Sequence, residues 1–569
     1  MTRVIGNIAI VGTGPTAIYL LQHLIAEAGP CFITLYERSG LAGVGMPYNP
    51  ETTHAAMLAN IASIEVPPVA ETLLSWLQRQ PQVILDLYGV SAETLSDRTF
   101  VPRVLLGGYF RDALETLVAR GREAGVQIAL REGSEVVDLR PDPDGIWLEI
   151  AAGDVPQQPI LHDRVILAIG HSWPQAARVG TPAPRRLVPS PWSGLLEGGV
   201  PAAPIGILGT SLSAIDALVA VVLQHGSFTD DPGGGLVYTL LPESRGLHVT
   251  LMSRNGLLPE ADFYCPLPYD PPKVMTAHAV AAAVGEGNAG LLDRLFALFL
   301  AEFRAADPAA PVLGAADEPT PDTFADHYFA ARKAADPFDW AAQDLREAEA
   351  NQAACRTVAW KYAILRVHEI FDAIYGDFDA GDRARFDAGL KRVFIDNYAA
   401  VPPHSIHRLL ALRRAGLIDV LALGEDYEIA EARGGIAVNG NNERLRLAAV
   451  IDARGQGAQG AADLPFAGLR AALDTSDERG GPVPLSGDLE ILCPAATPGR
   501  IWLPAAPFLL HRRPFLQGIP GCAAMGREVG AAVVASLAAG PRGVPAGPYD
   551  KAAAVPVGSD RIASGTGHG

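Results

Sequence analysis

A short apolar strand that runs straight into a glycine turn limits this chain's fold more than any other feature. Residues 8–17 read Ile-Ala-Ile-Val-Gly-Thr-Gly-Pro-Thr-Ala, and apolar residues recur at helical spacing from Ile18 to Ala28. Strand, turn and helix in that order make a pyrophosphate site. Gly12 permits the tight turn, Gly14 lets backbone come close to phosphate, and Ala17 keeps helix and strand together. Pro15 and Thr16 lie within the turn, and the start of the helix beyond it offers unpaired N–H groups and a partial positive charge. A second strand over 31–37 ends in Glu37, 25 residues after Gly12, with Arg38 next. An acid there is placed to bind the adenosine ribose of a dinucleotide. The ordered set of strand, turn, helix, strand and acid separates this reading from a plain glycine-rich turn.

At 569 residues the chain has room for three or four domains, and 49% apolar residues supply sizeable cores. The net charge of −18, with no basic tract, speaks against nucleic acid or an anionic membrane as partner. Five cysteines at wide spacings, with no Cys-x-x-Cys pair, point to reduced thiols rather than a disulfide framework or a zinc site, and no metal is expected. The first apolar run is the nucleotide strand itself, and no run reaches the ~18 apolar residues of a membrane span. A cytoplasmic location is therefore expected.

Further along, Ser39–Tyr48 is glycine-rich, and Gly45, Met46 and Tyr48 suit backbone passing close to a flat ligand. Asn60 follows in Leu-Ala-Asn. Arg103 precedes a helix expected over 111–124. Strands are expected over 126–130 and 134–139, with 147–151 as the next strand in a small antiparallel unit. The run 164–170 reads as a buried strand ending at Gly170, the return strand beneath the cofactor.

A second nucleotide signature lies at 205–216, Ile-Gly-Ile-Leu-Gly-Thr-Ser-Leu-Ser-Ala-Ile-Asp. Gly209, Thr210, Ser211, Ser213 and Ala214 repeat the turn, with the Ser211 hydroxyl where a second glycine would stand. The following strand ends in Ser253-Arg254, where the first site ended in glutamate. A guanidinium there suits the 2′-phosphate of NADPH, which a carboxylate would repel. The pattern reads as FAD at the first site and NADPH at the second. The plainer reading of Arg254 is a solvated turn arginine.

Residues 271–390 turn helical, with apolar spacing over 274–284, 289–304, 322–334 and 341–374. This suggests an insertion that covers or lines a substrate cleft. The stretch from Val401 begins another helix that ends at Gly416, and strands over 419–423, 427–431, 435–438 and 445–447 follow. Residues 449–457, ending at Gly455, repeat the strand-into-glycine pattern and read as the crossing back to the first domain. Gln517, Gly518 and Ile519 form a turn that opens a last helix over 525–538, suited to the flavin ring end. The Pro/Ala/Gly/Ser tail is expected to be disordered.

The expected fold is therefore α/β: two Rossmann-like dinucleotide-binding domains, for FAD and NADPH, with a helical insertion. The expected boundaries are 1–195 and 449–542 for the FAD domain, 196–270 and 396–448 for the NADPH domain, 271–395 for the insertion, and 543–569 for the tail.

These stretches, with Gly45-Met-Pro-Tyr48 and Pro102–Tyr109, make the chain similar to the two-dinucleotide-domain flavoproteins, and more narrowly to the FAD/NAD(P)-binding branch near the N-hydroxylating monooxygenases. The resemblance covers most of 5–265 and 395–540 and is thin over the insertion. It implies that NADPH reduces FAD, that oxygen forms a flavin C4a-hydroperoxide, and that an uncharged amine nitrogen is hydroxylated. The implied partners are a small amine or amino acid, with L-aspartate oxidised toward nitrosuccinate as one type in the branch, and molecular oxygen; a homo-oligomer is compatible with it. The competing reading is an NADPH-dependent flavoprotein reductase acting on a small-molecule or protein acceptor. A non-catalytic flavin-binding protein has little use for the second signature.

Among individual residues, Asn60 is the candidate for the flavin face, against an ordinary loop asparagine. Arg103 is a candidate for phosphate or substrate, against a structural arginine. Arg513, with Arg512, is a candidate for a substrate carboxylate, against a surface basic pair. His404 and His407 share a helix face without a third metal ligand and suit capping or core roles. Arg356, Lys361 and Arg366 fit a solvated helix face as well as a substrate role.

Overall fold

The structure, a computed structural model, describes residues 6–153, 155–171, 186–188, 190–192, 199–314, 317–441, 443–455, 457–473 and 481–539. The tail expected to be disordered lies outside the described residues. Ten strands build two parallel sheets: β1 (Asn7–Val11), β2 (Phe32–Tyr36), β3 (Gln127–Arg131), β4 (Arg164–Leu167), β5 (Leu187–Val188), β6 (Pro204–Leu208), β7 (His248–Ser253), β8 (Ile418–Ala422), β9 (Ala449–Asp452) and β10 (Ile501–Trp502). The first sheet has the order β10-β4-β1-β2-β3 and the second β5-β9-β6-β7-β8. The two sheets therefore share one topology, with β1 and β6 at their centres. The strand order reverses beside the central strand, and ligands of doubly wound sheets bind at that reversal, outside the strands' carboxyl ends.

Both central strands are apolar along their length because helices cover both faces of a parallel sheet. Ile8, Ala9, Ile10, Ile205 and Ile207 are fully buried. In the first domain α1 (Pro15–Glu27) is clamped by α8 (Gly518–Ala538). A Cβ on Gly526 would lie 2.7 Å from the Leu20 nitrogen, and one on Gly530 would lie 2.6 Å from the His23 ring. These glycines, four apart on one face of α8, let the two helices approach closely. Among the described residues α8 is also the one helix long and apolar enough to cross a membrane; its buried residues pack into the first domain's core.

The helix expected over 111–124 begins eight residues earlier, as α2 (Arg103–Glu123). Gly107 and Gly108 discourage a helix in sequence, yet packing requires at least the first. A Cβ on Gly107 would lie 2.5 Å from the Tyr48 carbonyl oxygen, so this glycine seats the Met46–Tyr48 turn against α2. The last helix likewise starts at Gly518 rather than Met525. Residues 231–235 form the turn of an antiparallel hairpin, Gly226–Asp230 with Leu236–Leu240. The small antiparallel unit is present, with Ser134–Asp142 paired to Gly145–Ala152.

Two further corrections concern the second domain. Ala449–Asp452, read as the return to the first domain, pairs in parallel with β6 and is the second sheet's own return strand. The run 341–374 is two helices, α4 (Pro337–Ala353) and α5 (Ala359–Ile374), separated by a left-handed residue, Cys355, at φ +48°. Phe338, Ala341, Leu345 and Ala348 of α4 join the core of the second dinucleotide domain together with α7 (Pro403–Arg414). Part of the helical insertion is thus built into that domain. The remaining helices, among them α5 and α6 (Leu390–Tyr398), enclose a separate aromatic core around Phe299, Phe371, Phe386 and Phe394.

Lys361 and Arg366 do not form a solvated face: their side chains are only 9% and 7% exposed. Lys361 is buried between Glu260 at 2.8 Å and Asp344 at 2.9 Å, and Arg366 pairs with Glu302 at 2.9 Å. Arg356 donates to Asn351 Oδ1 at 2.6 Å. Buried cations with this many partners fix helices to one another; sequence spacing cannot reveal the partners because they lie 17 to 101 residues away.

Candidate cofactor and substrate site

At the first site Gly12 ends β1 with φ +91°, and a Cβ there would lie 2.4 Å from the Ala168 carbonyl oxygen of the return strand. Its N–H donates to the Tyr36 carbonyl at 2.9 Å. Gly14 is the N-cap of α1 and makes no side-chain cap; Pro15 occupies the first turn, and no acid stands there. The first N–H groups of α1 are therefore left for an anion. Gly45, at φ +70°, brings its Cα within 3.3 Å of where a Gly14 Cβ would stand. The glycine loop thus lies close against the Gly12–Ala17 turn. Thr16 and Ala17 are buried in the first turn of α1.

Glu37 is held from two directions. Thr13 Oγ1 donates to Glu37 Oε2 at 2.6 Å, and the Ser39 N–H and hydroxyl each donate to Oε1 at 2.9 Å. The Gly43 N–H donates to the same Thr13 oxygen at 3.0 Å. One hydroxyl therefore ties Glu37 to the glycine loop. Arg38 is exposed, and Gly170 follows β4 at φ +59°.

The second site repeats this geometry. Gly209 has φ +115°, and its Cβ would lie 2.8 Å from the Ala453 carbonyl oxygen of the second return strand. Ser211 caps α3 (Leu212–Val222) through no side-chain bond, and the first turn carries no acid. Thr210 and Ala214 are buried, Ser213 is half-buried, and Ser211 and Gly455 are exposed. The Ser253 hydroxyl accepts from the Gly256 N–H at 3.0 Å. Arg254 stands on the surface beside it, 60% exposed, with a 3.3 Å contact to Glu425. Both cradles fit a dinucleotide: backbone a side chain would block, a free helix start, and a strand-end residue of the appropriate charge.

Gln517 is the N-cap of α8, whose first turn also lacks a side-chain cap and an acid. Its amide donates to the Tyr398 hydroxyl. Gly518 has φ +70° and Ile519 is buried. Phe515, just before this turn, inserts its ring into the aromatic core of the helical unit. The unit thereby holds the turn that would face a flavin ring.

Asn60 lies on the strand Leu58–Ala62, and its Oδ1 is buried with no hydrogen-bond partner. An orphaned acceptor is costly unless a ligand N–H meets it. Arg103 and Arg513 each meet a carboxylate of the chain itself. Arg103 turns to Asp216 of α3, and Arg513 is engaged with both carboxylate oxygens of Glu528, at 2.7 and 2.8 Å. Arg512 donates to the Ser486 carbonyl at 3.1 Å. His407 meets Glu349 at 2.7 Å, and burial, with Arg408 nearby, pushes His404 down to about 4. Sequence reasoning missed Thr13, because only the folded turn brings it to Glu37.

Comparison with known proteins places the chain. Residues 9–172 match the family described as FAD-NAD(P)-binding, and residues 276–398 match the YdhS-like middle domain. Over 532 residues it is 46% identical to the Escherichia coli protein "Uncharacterized protein YdhS", covering 93% of this chain and 97% of that one. The chain belongs to the YdhS family. Its cofactors are FAD and a nicotinamide dinucleotide. The YdhS-like middle domain coincides with most of the helical unit, the region where the sequence resemblance was thin. Solved structures that align with this YdhS-family chain include the ornithine hydroxylase of Pseudomonas aeruginosa, at 14% identity, 94% and 99% coverage and a TM-score of 0.49. The ornithine N-hydroxylase of Kutzneria sp. 744 aligns at 13% identity, 93% and 98% coverage and a TM-score of 0.46. The cadaverine monooxygenase of Erwinia amylovora aligns at 13%, 95% and 96% coverage and a TM-score of 0.47.

Proposed function

We propose that the protein is an NADPH-dependent FAD monooxygenase that hydroxylates the amine nitrogen of a small amino acid or amine. The observation that carries this reading is the duplicated cradle: two sheets of one topology, each with a glycine turn packed under its return strand and opening on an uncapped helix. In this reading the backbone at Gly12 and Gly14 holds the FAD pyrophosphate and Glu37 holds its ribose. The start of α3 holds the NADPH pyrophosphate, and Arg254 selects its 2′-phosphate. When bound, FAD supplies two-electron transfer from the nicotinamide and the means to activate oxygen. The chain's own task is to bind, orient and exclude water. Asn60 offers a buried acceptor to an N–H of the substrate amine or of the nicotinamide. No protein nucleophile is required. The motif resemblance supports an amine nitrogen as the acceptor, and L-aspartate, oxidised toward nitrosuccinate, is the first substrate to try.

The test is oxygen uptake and hydroxylamine formation by the holoprotein with NADPH and a panel of L-aspartate, basic amino acids and diamines. Oxygen uptake in proportion to an N-hydroxylated product is the expected result. NADPH oxidation that proceeds only with an added quinone or disulfide would replace this reading with the reductase. Absence of NADPH oxidation above background would overturn both.

A further inference from the structure

Arg103 is the first residue of α2 in the FAD domain, and Asp216 lies on α3, five residues beyond Ser211, in the second domain. Arg103 Nη2 lies 2.9 Å from Asp216 Oδ2, and its Nε donates to the same oxygen at 3.1 Å. The two side chains are 13% and 7% exposed. Trp192 covers the guanidinium at 5.1 Å. The same junction is joined at two further points, the Met57 side chain and Arg408, and a backbone bond ties Met57 to Arg103. The Arg103 N–H donates to the Met57 carbonyl at 2.8 Å. The Met57 side chain is 1% exposed within the second domain's core. Arg408, on α7, donates to the Ala56 carbonyl at 2.7 Å. Met57 leads directly into the strand that carries Asn60. One continuous set of bonds therefore runs from the helix whose start forms the second cradle to the strand bearing the orphaned acceptor.

We infer that Arg103 and Asp216 are positioning residues that fix the angle between the two dinucleotide domains, so that the nicotinamide carried by one meets the flavin carried by the other. The inference rests on the proposed two-cofactor reaction and goes beyond it, because neither residue is asked to touch a dinucleotide. A buried, doubly bonded ion pair suits this task. It holds only at one separation and one orientation, and a buried arginine fork is less tolerant of displacement than a lysine point charge. Hydride transfer is correspondingly sensitive: the nicotinamide loses two electrons and a proton as hydride, the flavin accepts them, and an ångström of misplacement slows such a step steeply.

The experiment uses FAD-loaded holoprotein, anaerobic rapid mixing with NADPH, and separate titrations of FAD and NADP⁺. Three proteins are compared: wild type, Arg103→Lys, and the double variant Arg103→Met/Asp216→Leu, which removes both charges of the pair together and serves if the lysine variant fails to fold. In the variants the flavin-reduction rate constant is expected to fall by about tenfold or more, as misplacement at the reacting atoms predicts. The long-wavelength charge-transfer absorbance between the stacked rings is expected to weaken with it. The Kd values for FAD and NADP⁺ and the rate of reduction by dithionite are expected to stay within about twofold, because both cradles are intact. Reduction by NADPH at the wild-type rate in either folded variant would overturn the inference alone. A loss of NADP⁺ affinity parallel to the loss of rate would also overturn it, since that marks a ligand contact. Wild-type flavin that NADPH does not reduce would overturn the proposed function and this inference together.

Discussion

The carboxylate of Asp372, on α5, accepts the Phe515 backbone N–H at 2.9 Å, and so the helical unit holds the turn that opens α8. The Phe515 ring completes the joint, at 6.0 Å from Phe386 and 5.7 Å from Phe394. Burial pushes the Asp372 carboxyl up, and the bond from Phe515 is the first effect opposing it. Replacing Asp372 by alanine removes one buried hydrogen bond, worth about 1 kcal/mol. FAD affinity is expected to fall by about fivefold, with a shifted flavin absorbance spectrum as the turn loosens. Asp372→Asn retains an acceptor and is expected to restore both. Fluorescence titration of the apoprotein measures the effect; equal affinities in all three proteins would detach the helical unit from the flavin end.

Gly12 and Gly14 separate folding from binding. At Gly12, φ +91° and the 2.4 Å approach to Ala168 forbid a side chain, so Gly12→Ala is expected to yield little folded protein. Gly14 has φ −68°, which any residue adopts, and its only close neighbour is Gly45 Cα at 3.3 Å. Gly14→Ala is therefore expected to fold, with a melting temperature within a few degrees of wild type, yet to retain about tenfold less FAD because the methyl stands where phosphate approaches. Flavin absorbance per protein and a thermal melt distinguish the two outcomes. Full FAD retention in Gly14→Ala would remove the pyrophosphate from this turn.

Arg254 tests the choice of nicotinamide dinucleotide. Its side chain is 60% exposed and its Glu425 contact is a surface pair, so Arg254→Gln is expected to leave stability unchanged. A lost guanidinium–phosphate contact lowers the NADPH-over-NADH ratio of kcat/KM by at least about tenfold. Steady-state kinetics with both dinucleotides measure the ratio; an unchanged value would return Arg254 to the role of a solvated turn residue.

His162 gives a pH dependence. Its ring is 2% exposed, with Nε2 3.0 Å from the Tyr36 hydroxyl and Nδ1 3.0 Å from Asn7 Oδ1. Burial, with a smaller contribution from Arg131, pushes it down to about 3. Between that value and the ~6.5 of an unfolded histidine, the unfolded chain binds the extra proton. Stability from this group is complete above pH ~6.5 and declines as pH falls through that window, by at most about 1.4 kcal/mol per unit. The midpoint of urea unfolding is expected to drop between pH 6.5 and 4.5 in wild type and to drop less in His162→Gln, each variant compared with its own value at pH 7.5. Parallel slopes would assign the acid sensitivity elsewhere.

Both dinucleotide folds were legible because each rests on local order. Strand, glycine turn and helix follow one another within about a dozen residues, and positive φ at Gly12 and Gly209 is a property of the residue itself. Alternating and helical apolar spacing likewise located most strands and the helical insertion. What no local pattern carries is the partner of a side chain across the fold. Arg103 finds Asp216 113 residues away, and Lys361 finds Glu260 101 residues away; sequence sees only a charge at the head of a helix or on its flank. Ala449–Asp452 shows the same limit, since its strand-into-glycine pattern fits either sheet and only pairing with β6 decides between them. Gly107 shows it in reverse: local propensity argues against a helix there, and the close approach of Tyr48 is what makes the glycine necessary. Local backbone chemistry therefore determined where the two cofactor cradles lie, while tertiary packing decided how they face each other, because that angle is set by buried charges and apolar contacts between segments far apart in the chain.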